Sequence, residues 1–130
     1  MEQLLLHLIG DYVTQSNWMA TKKTANSFAA GIHALVYSLP FLLIGSWSAV
    51  AVICVTHFFI DRFRLARYVI WAKNALGASP SEWNSPELNW DNCKATGYSS
   101  QVPQWMSVWL MIIADNTMHL TINYLALRYL

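Results

Sequence analysis

Trp47-Ser48-Ala49-Val50-Ala51-Val52-Ile53-Cys54-Val55-Thr56-His57-Phe58-Phe59-Ile60-Asp61-Arg62 is the stretch on which the fold turns. Its first ten residues carry no charge, and its end sets a histidine and an aspartate four positions apart. Four-residue spacing puts two side chains on one face of a helix. The stretch therefore reads as an apolar helix with a His57/Asp61 polar stripe. The same spacing recurs at His7/Asp11 and, reversed, at Asp115/His119. With four histidines and four aspartates in the chain, three such pairs exceed what chance spacing supplies. The fourth histidine, His33, stands in an apolar stretch without an aspartate. The pairs lie in separate hydrophobic segments, so only tertiary structure can unite them.

Four apolar segments organise the 130 residues: Leu4 to Val13, Ser27 to Ile44, Trp47 to Trp71 and Val108 to Leu130. Hydrophobic residues make up 55% of the chain and charged residues 12%, about half the usual charged share. A small soluble domain needs charge to cover its surface. The composition therefore predicts a single domain, residues 1–130, embedded in lipid. The expected fold is all-α: an integral membrane bundle of three to four helices, the first helix short, with a long loop (72–104) before the last. Gly45 and Ser46 mark a tight turn between the second and third segments. The loop carries Trp83, Trp90 and Tyr98 and is expected at the cytoplasmic or interfacial side. Lys22, Lys23, Arg62, Arg64, Arg67, Lys73 and Lys94 all fall on one side of an up-down arrangement, which the positive-inside rule makes cytoplasmic. The expected location is thus the bacterial inner membrane, multi-pass. The N-terminus has no secretory signal pattern. A net charge of +1 argues against a nucleic-acid partner. Cys54 and Cys93 have neither disulfide-framework nor metal-type spacing.

Polar stripes on such helices should face the bundle interior. Seven metal ligands are then available: His7, Asp11, His33, His57, Asp61, Asp115 and His119. Buried carboxylates need protons, cations or metals to neutralise them. Mixed His and Asp ligands suit zinc first, with manganese or iron as alternatives, in one or two ions. Seven ligands favour two ions, which together bind a phosphoester and activate water. Asp11, Asp61 and Asp115 are the candidate catalytic carboxylates, one of them as general base. Some aspartates could instead orient a histidine. Gln15 and Tyr37, each four residues beyond a candidate ligand, are expected to support the site. Arg62, Arg64 and Arg67 beside Asp61 read either as phosphate contacts or as anchors.

The run His7-Leu8-Ile9-Gly10-Asp11-Tyr12 with Gln15, Met19, Ala20 and Lys23, then His33 with Tyr37, then His57 to Asp61, then Asp115-Asn116 with His119-Leu120, resembles a family of small bacterial and phage membrane proteins classed as a domain of unknown function. More distantly it is similar to the LexA-regulated inner-membrane metal-dependent hydrolases, and through them to the all-helical zinc phospholipase C and nuclease group. That group uses His-x-x-x-Asp/Glu pairs as zinc ligands, which implies ligand roles for His7/Asp11, His57/Asp61 and Asp115/His119. The family pattern carries glutamine where this chain has Asn116.

The expected function is metal-dependent hydrolysis of a phosphoester, on a lipid or lipid-linked substrate, near the cytoplasmic face. The alternative is a non-enzymatic small membrane protein: a phage-type effector, an ion or proton pathway, or a pore formed by a homo-oligomer. In it the His–Asp network is structural.

Overall fold

The computed structural model describes residues 1–130 and is all-α. In chain order it runs α1 (Glu2–Leu8), a π-helical turn (Ile9–Val13), α2 (Asn17–Lys22), α3 (Ser27–Ser38) and a 3-10 turn (Leu39–Leu43). Then come α4 (Trp47–Phe63), α5 (Leu65–Gly77), α6 (Trp90–Cys93) and α7 (Gln104–Tyr129). The helices begin where the sequence offers caps. Ser16 Oγ accepts from the Met19 amide, Asn26 Oδ1 from Phe28 and Ala29, and Ser46 Oγ from Ala49. Each satisfies amide groups that a helix start leaves without a partner.

The expectation of an integral membrane bundle is overturned, and with it the multi-pass inner-membrane location. No helix is long and apolar enough to cross a membrane. The apolar segments are not single helices. Ser27 to Ile44 divides into a 12-residue helix and a 3-10 turn that starts at Leu39-Pro40. Trp47 to Trp71 breaks at Arg64, which adopts a left-handed backbone (φ 51°) between α4 and α5. With 17 residues, α4 extends only about 26 Å, against a hydrocarbon thickness of about 30 Å. At 26 residues α7 has the length, but Asp115, Asn116, His119, Asn123 and Arg128 interrupt its apolar character. The low charged share is met differently: large apolar side chains stand on the surface, including Leu43, Trp47 and Leu76, each at least 80% exposed.

The chain forms two compact units. The first comprises Met1–Phe63 and Met118–Leu130, the second Arg64–Thr117. In the first, α3 and α4 pack side by side, reversed over Gly45. Small residues on the facing surfaces (Ala29, Ala30, Ala34 and Ala49, all fully buried) permit a close approach. The core continues through Tyr37, Phe41, Val50, Ile53 and Ala126, with Leu6, Leu42 and Leu127 against it. Ser46 and Ser48 hydroxyls donate to the Leu130 carbonyl and tie the last helix to the start of α4.

In the second unit, the expected long loop is partly helical. α5 runs on to Gly77, and Asn89 caps the short α6 by accepting from the Asp91 amide. Ala66, Ile70 and Cys93 are buried. Trp71 Nε1 donates to the Leu88 carbonyl at 2.8 Å, and Tyr68 stacks on Trp90 at 4.8 Å. Gly97 has φ +83°, and a Cβ there would lie 2.2 Å from the Arg67 carbonyl oxygen. Only glycine fits that turn.

Candidate metal centre

The π-helical turn sets the first part of the site. The Thr14 amide donates to the Ile9 carbonyl, an i→i+5 bond of 2.9 Å. This turn carries Asp11, and one turn earlier α1 carries His7. α3 supplies His33 and Tyr37, α4 supplies His57 and Asp61, and α7 supplies His119 and Asn123. Four pairs of residues four apart thus converge, the first shared between α1 and the π turn and the others each from one helix. All eight side chains are buried, with Asp11 the most exposed at 7%.

Four atoms converge: Asp11 Oδ1, His33 Nε2, His57 Nε2 and Asp61 Oδ2. His33 Nε2 lies 3.0 Å from His57 Nε2, 3.2 Å from Asp11 Oδ1 and 3.1 Å from Asp61 Oδ2. His57 Nε2 lies 3.5 Å from Asp11 Oδ1 and 3.2 Å from Asp61 Oδ2. These are five of the six edges of a four-atom cage, and one ligand atom from each of the four residues lies within 4.8 Å of the others. Ligands about 2.0–2.1 Å from a zinc ion stand about 3.3–3.4 Å apart in a tetrahedron. Around an octahedral ion of the same radius, neighbouring ligands stand about 2.8–3.0 Å apart. The cage has the dimensions of a metal coordination shell. Its inward oxygens, Asp11 Oδ1 and Asp61 Oδ2, are buried, and their neighbours are the two imidazole nitrogens and, for Asp61 Oδ2, the Lys23 ammonium. The residues present therefore fit a divalent cation. In one respect they depart from usual metal histidines, whose far ring nitrogen is hydrogen-bonded. Nδ1 of His33 and Nδ1 of His57 are buried without such a bond.

The outward carboxylate oxygens face other histidines. His7 Nδ1 is 3.5 Å from Asp11 Oδ2, and His119 Nε2 is 3.4 Å from Asp61 Oδ1. Tyr37 connects the surroundings. Its hydroxyl lies 2.8 Å from His7 Nδ1 and accepts from Asn123 Nδ2 at 2.7 Å. Its ring stacks on His57 at 3.7 Å between centroids. Gly10 makes room for that ring, since a Cβ there would come within 2.5 Å of Tyr37 Cδ2. Lys23, just after α2, reaches in with Nζ 2.7 Å from Asp61 Oδ2 and 3.3 Å from His33 Nε2.

Burial and pairing pull the titrations apart. Burial drives the His57 imidazole down to about 4, despite the hydrogen bond and charge of Asp61. Burial also pushes His33 down, but hydrogen bonds to Asp11 and Asp61 outweigh it and raise that histidine above its ordinary value. For Asp61, burial is outweighed by hydrogen bonds from His119, His33 and His57, which hold the carboxyl well below the usual range. Asp11 is lowered too, because the His33 hydrogen bond and the charges of His57 and His119 outweigh burial.

Of the seven ligands expected from sequence, the first unit gathers His7, Asp11, His33, His57, Asp61 and His119. Asp115 lies one turn before His119 on α7, half-buried, in the part of that helix belonging to the second unit. Sequence reasoning missed two contributors. Asn123 follows His119 by four residues, the spacing that singled out Tyr37. Lys23 belongs to the motif that carries the family resemblance, but its spacing gave it no role at the site. Gln15 falls past the end of the π turn, off the expected stripe. Arg62 donates to the Thr24 carbonyl and Ser27 Oγ. Arg64 and Arg67, in the second unit, donate to the carbonyls of Ala95 and Lys94.

Fold and site together define an all-helical protein with a buried His/Asp cage of metal-binding dimensions. The chain belongs to the DUF3307 family, described as proteins of unknown function, whose model matches residues 1–128. No curated protein and no solved structure matched the chain.

Proposed function

We propose that this protein holds one divalent metal ion on Asp11, His33, His57 and Asp61 and uses it to hydrolyse a phosphoester. The observation that carries the reading is the cage itself: five ligand-to-ligand separations of 3.0–3.5 Å between two buried imidazoles and two buried carboxylate oxygens. A divalent ion in such a place supplies Lewis acidity and a water of lowered pKa. The chain supplies the rest. His7 and His119 fix the outward oxygens of the two aspartates, and Tyr37 holds the His57 ring. Asp11 is the more exposed of the two carboxylates and is the proton acceptor in this reading. The phosphoester class is favoured by the Lys23 ammonium against the cage, an arrangement suited to an anionic substrate. His33 and His57 as ligands, and zinc, manganese or iron as the ion, follow from the donor set.

A second reading rests on the count of ligands. A tetrahedral zinc ion would have every position filled by protein, which is the mark of a structural site. A six-coordinate manganese or iron ion would keep two positions for water and substrate. The test is metal content by mass spectrometry on protein purified without added metal, beside a His57→Ala/Asp61→Ala double variant. A bis(p-nitrophenyl) phosphate assay with zinc, manganese and iron follows. About one equivalent of metal, lost in the variant, with metal-dependent turnover supports the hydrolase. Metal without turnover supports the structural site. The absence of stoichiometric metal, even after reconstitution, sinks both.

A further inference from the structure

Lys23 is the one cation in direct contact with the cage among the ion pairs of the first unit. Its nitrogen touches two of the four cage atoms, Asp61 Oδ2 and His33 Nε2, at 2.7 and 3.3 Å. A divalent ion on those atoms would sit about 2 Å from each. Ammonium and metal would then be neighbours sharing one carboxylate oxygen, inside a pocket that screens charge poorly. The two cations cannot both hold Asp61 Oδ2 at full strength. The side chains differ in freedom. Asp61 is 4% exposed and fixed by α4, whereas Lys23 is 19% exposed and hangs on a flexible four-carbon stem from the end of α2. When a metal enters, Lys23 is the group able to leave, and it leaves towards solvent. By contrast the Arg62 guanidinium is tied to the Thr24 carbonyl and Ser27 Oγ.

We propose that Lys23 exchanges with the metal: its ammonium neutralises Asp61 in the metal-free protein, and on metal binding it moves to the mouth of the cage, where it binds the anionic group of the substrate. This deepens the hydrolase reading and rests on its metal site. One residue then keeps the metal-free site folded and confines the metal-loaded site to anionic ligands.

The test is calorimetry on wild type, Lys23→Met and Lys23→Arg, each checked for unchanged helical content. Manganese is titrated first into metal-free protein, then inorganic phosphate into the metal-loaded form. Lys23→Met keeps the stem and removes the charge. It should bind manganese at least tenfold more tightly than wild type and bind phosphate at least tenfold more weakly. Lys23→Arg keeps the charge and should retain phosphate binding. Manganese affinity in Lys23→Met equal to or below wild type overturns the exchange. Unchanged phosphate affinity overturns the substrate role. If no protein, Lys23→Met included, binds any metal, the metal reading itself fails. If Lys23→Met alone binds metal, the exchange is upheld in its strongest form.

Discussion

His33 Nε2 and His57 Nε2 face each other across 3.0 Å inside the first unit, with both rings buried. Two imidazole nitrogens at that distance cannot each carry a proton, and two bare lone pairs would repel. Either one nitrogen carries the hydrogen and donates it to the other, or a metal ion takes its place. His33 sits above its ordinary pKa and His57 far below, so in the metal-free protein His33 takes the first proton.

Metal affinity should follow the geometry in graded steps. His33→Ala and His57→Ala remove cage atoms and should abolish stoichiometric binding. His119→Ala and His7→Ala remove only partners of the outward oxygens and should weaken binding about 10–100-fold, as loss of such supports commonly does. Competition against a chromophoric chelator separates the two groups. Equal losses in all four variants would contradict the assignment.

Acid should destabilise the metal-free protein. His57 titrates at about 4 when folded, against 6.5 in the unfolded chain. Between those values the unfolded chain binds a proton that the folded state refuses, so stability falls as pH drops from 6.5 to 4. The loss is at most about 3 kcal/mol. His33 has the opposite sign: its raised value gives stability that is full below 6.5 and fades as pH rises through the folded value. Asp11 and Asp61, both lowered, add a further loss below the carboxylate range. Melting temperatures from pH 8 to 4 read this balance. A His57→Asn variant should show a flatter acid limb between 6.5 and 4.

Tyr37→Phe tests the hydroxyl alone. The change keeps the stacking on His57 and removes the acceptor for buried Asn123 Nδ2. Leaving such a donor unsatisfied costs about 1–3 kcal/mol. Chemical denaturation measures it. Tyr37→Leu also loses the stacking and should lower metal affinity, which Tyr37→Phe should change less.

Two glycines should respond with opposite signs. Gly10→Ala sets a methyl within 2.5 Å of the Tyr37 ring, which is fully buried and has little room to give. It should cost about 1–3 kcal/mol and weaken metal binding by displacing that ring. Gly31 lies within α3, and an added Cβ meets nothing within 4 Å. Gly31→Ala should stabilise by about 0.5–1 kcal/mol. Melting of the two variants beside wild type gives the comparison directly.

The helical class and the identity of most cage residues were readable from spacing. His57 and Asp61 lie on one face of α4, as their separation requires. Yet closeness in sequence did not reveal which contacts matter. His33, the histidine without an aspartate four residues away, stands closer to Asp11 than His7 does, 3.2 against 3.5 Å. The membrane expectation failed because hydropathy averages over breaks. Pro40 and Arg64 each lie inside an apolar run that the backbone divides. The share of charged residues misled for a related reason: side chains such as Trp47 and Leu43 are apolar and exposed. Lys23 was hidden because reach, not spacing, brings it to Asp61.

The π turn at Ile9–Val13 bears on how this segment can vary. A π turn holds one residue more than an α turn in the same loop of backbone. Deleting a single residue there would restore an ordinary helix and swing everything before it by about 100° around the axis. His7 would then leave the Tyr37 hydroxyl, although every remaining side chain were conserved. Insertions and deletions should therefore be far more damaging between residues 7 and 14 than conservative exchanges at the exposed positions Tyr12 and Val13.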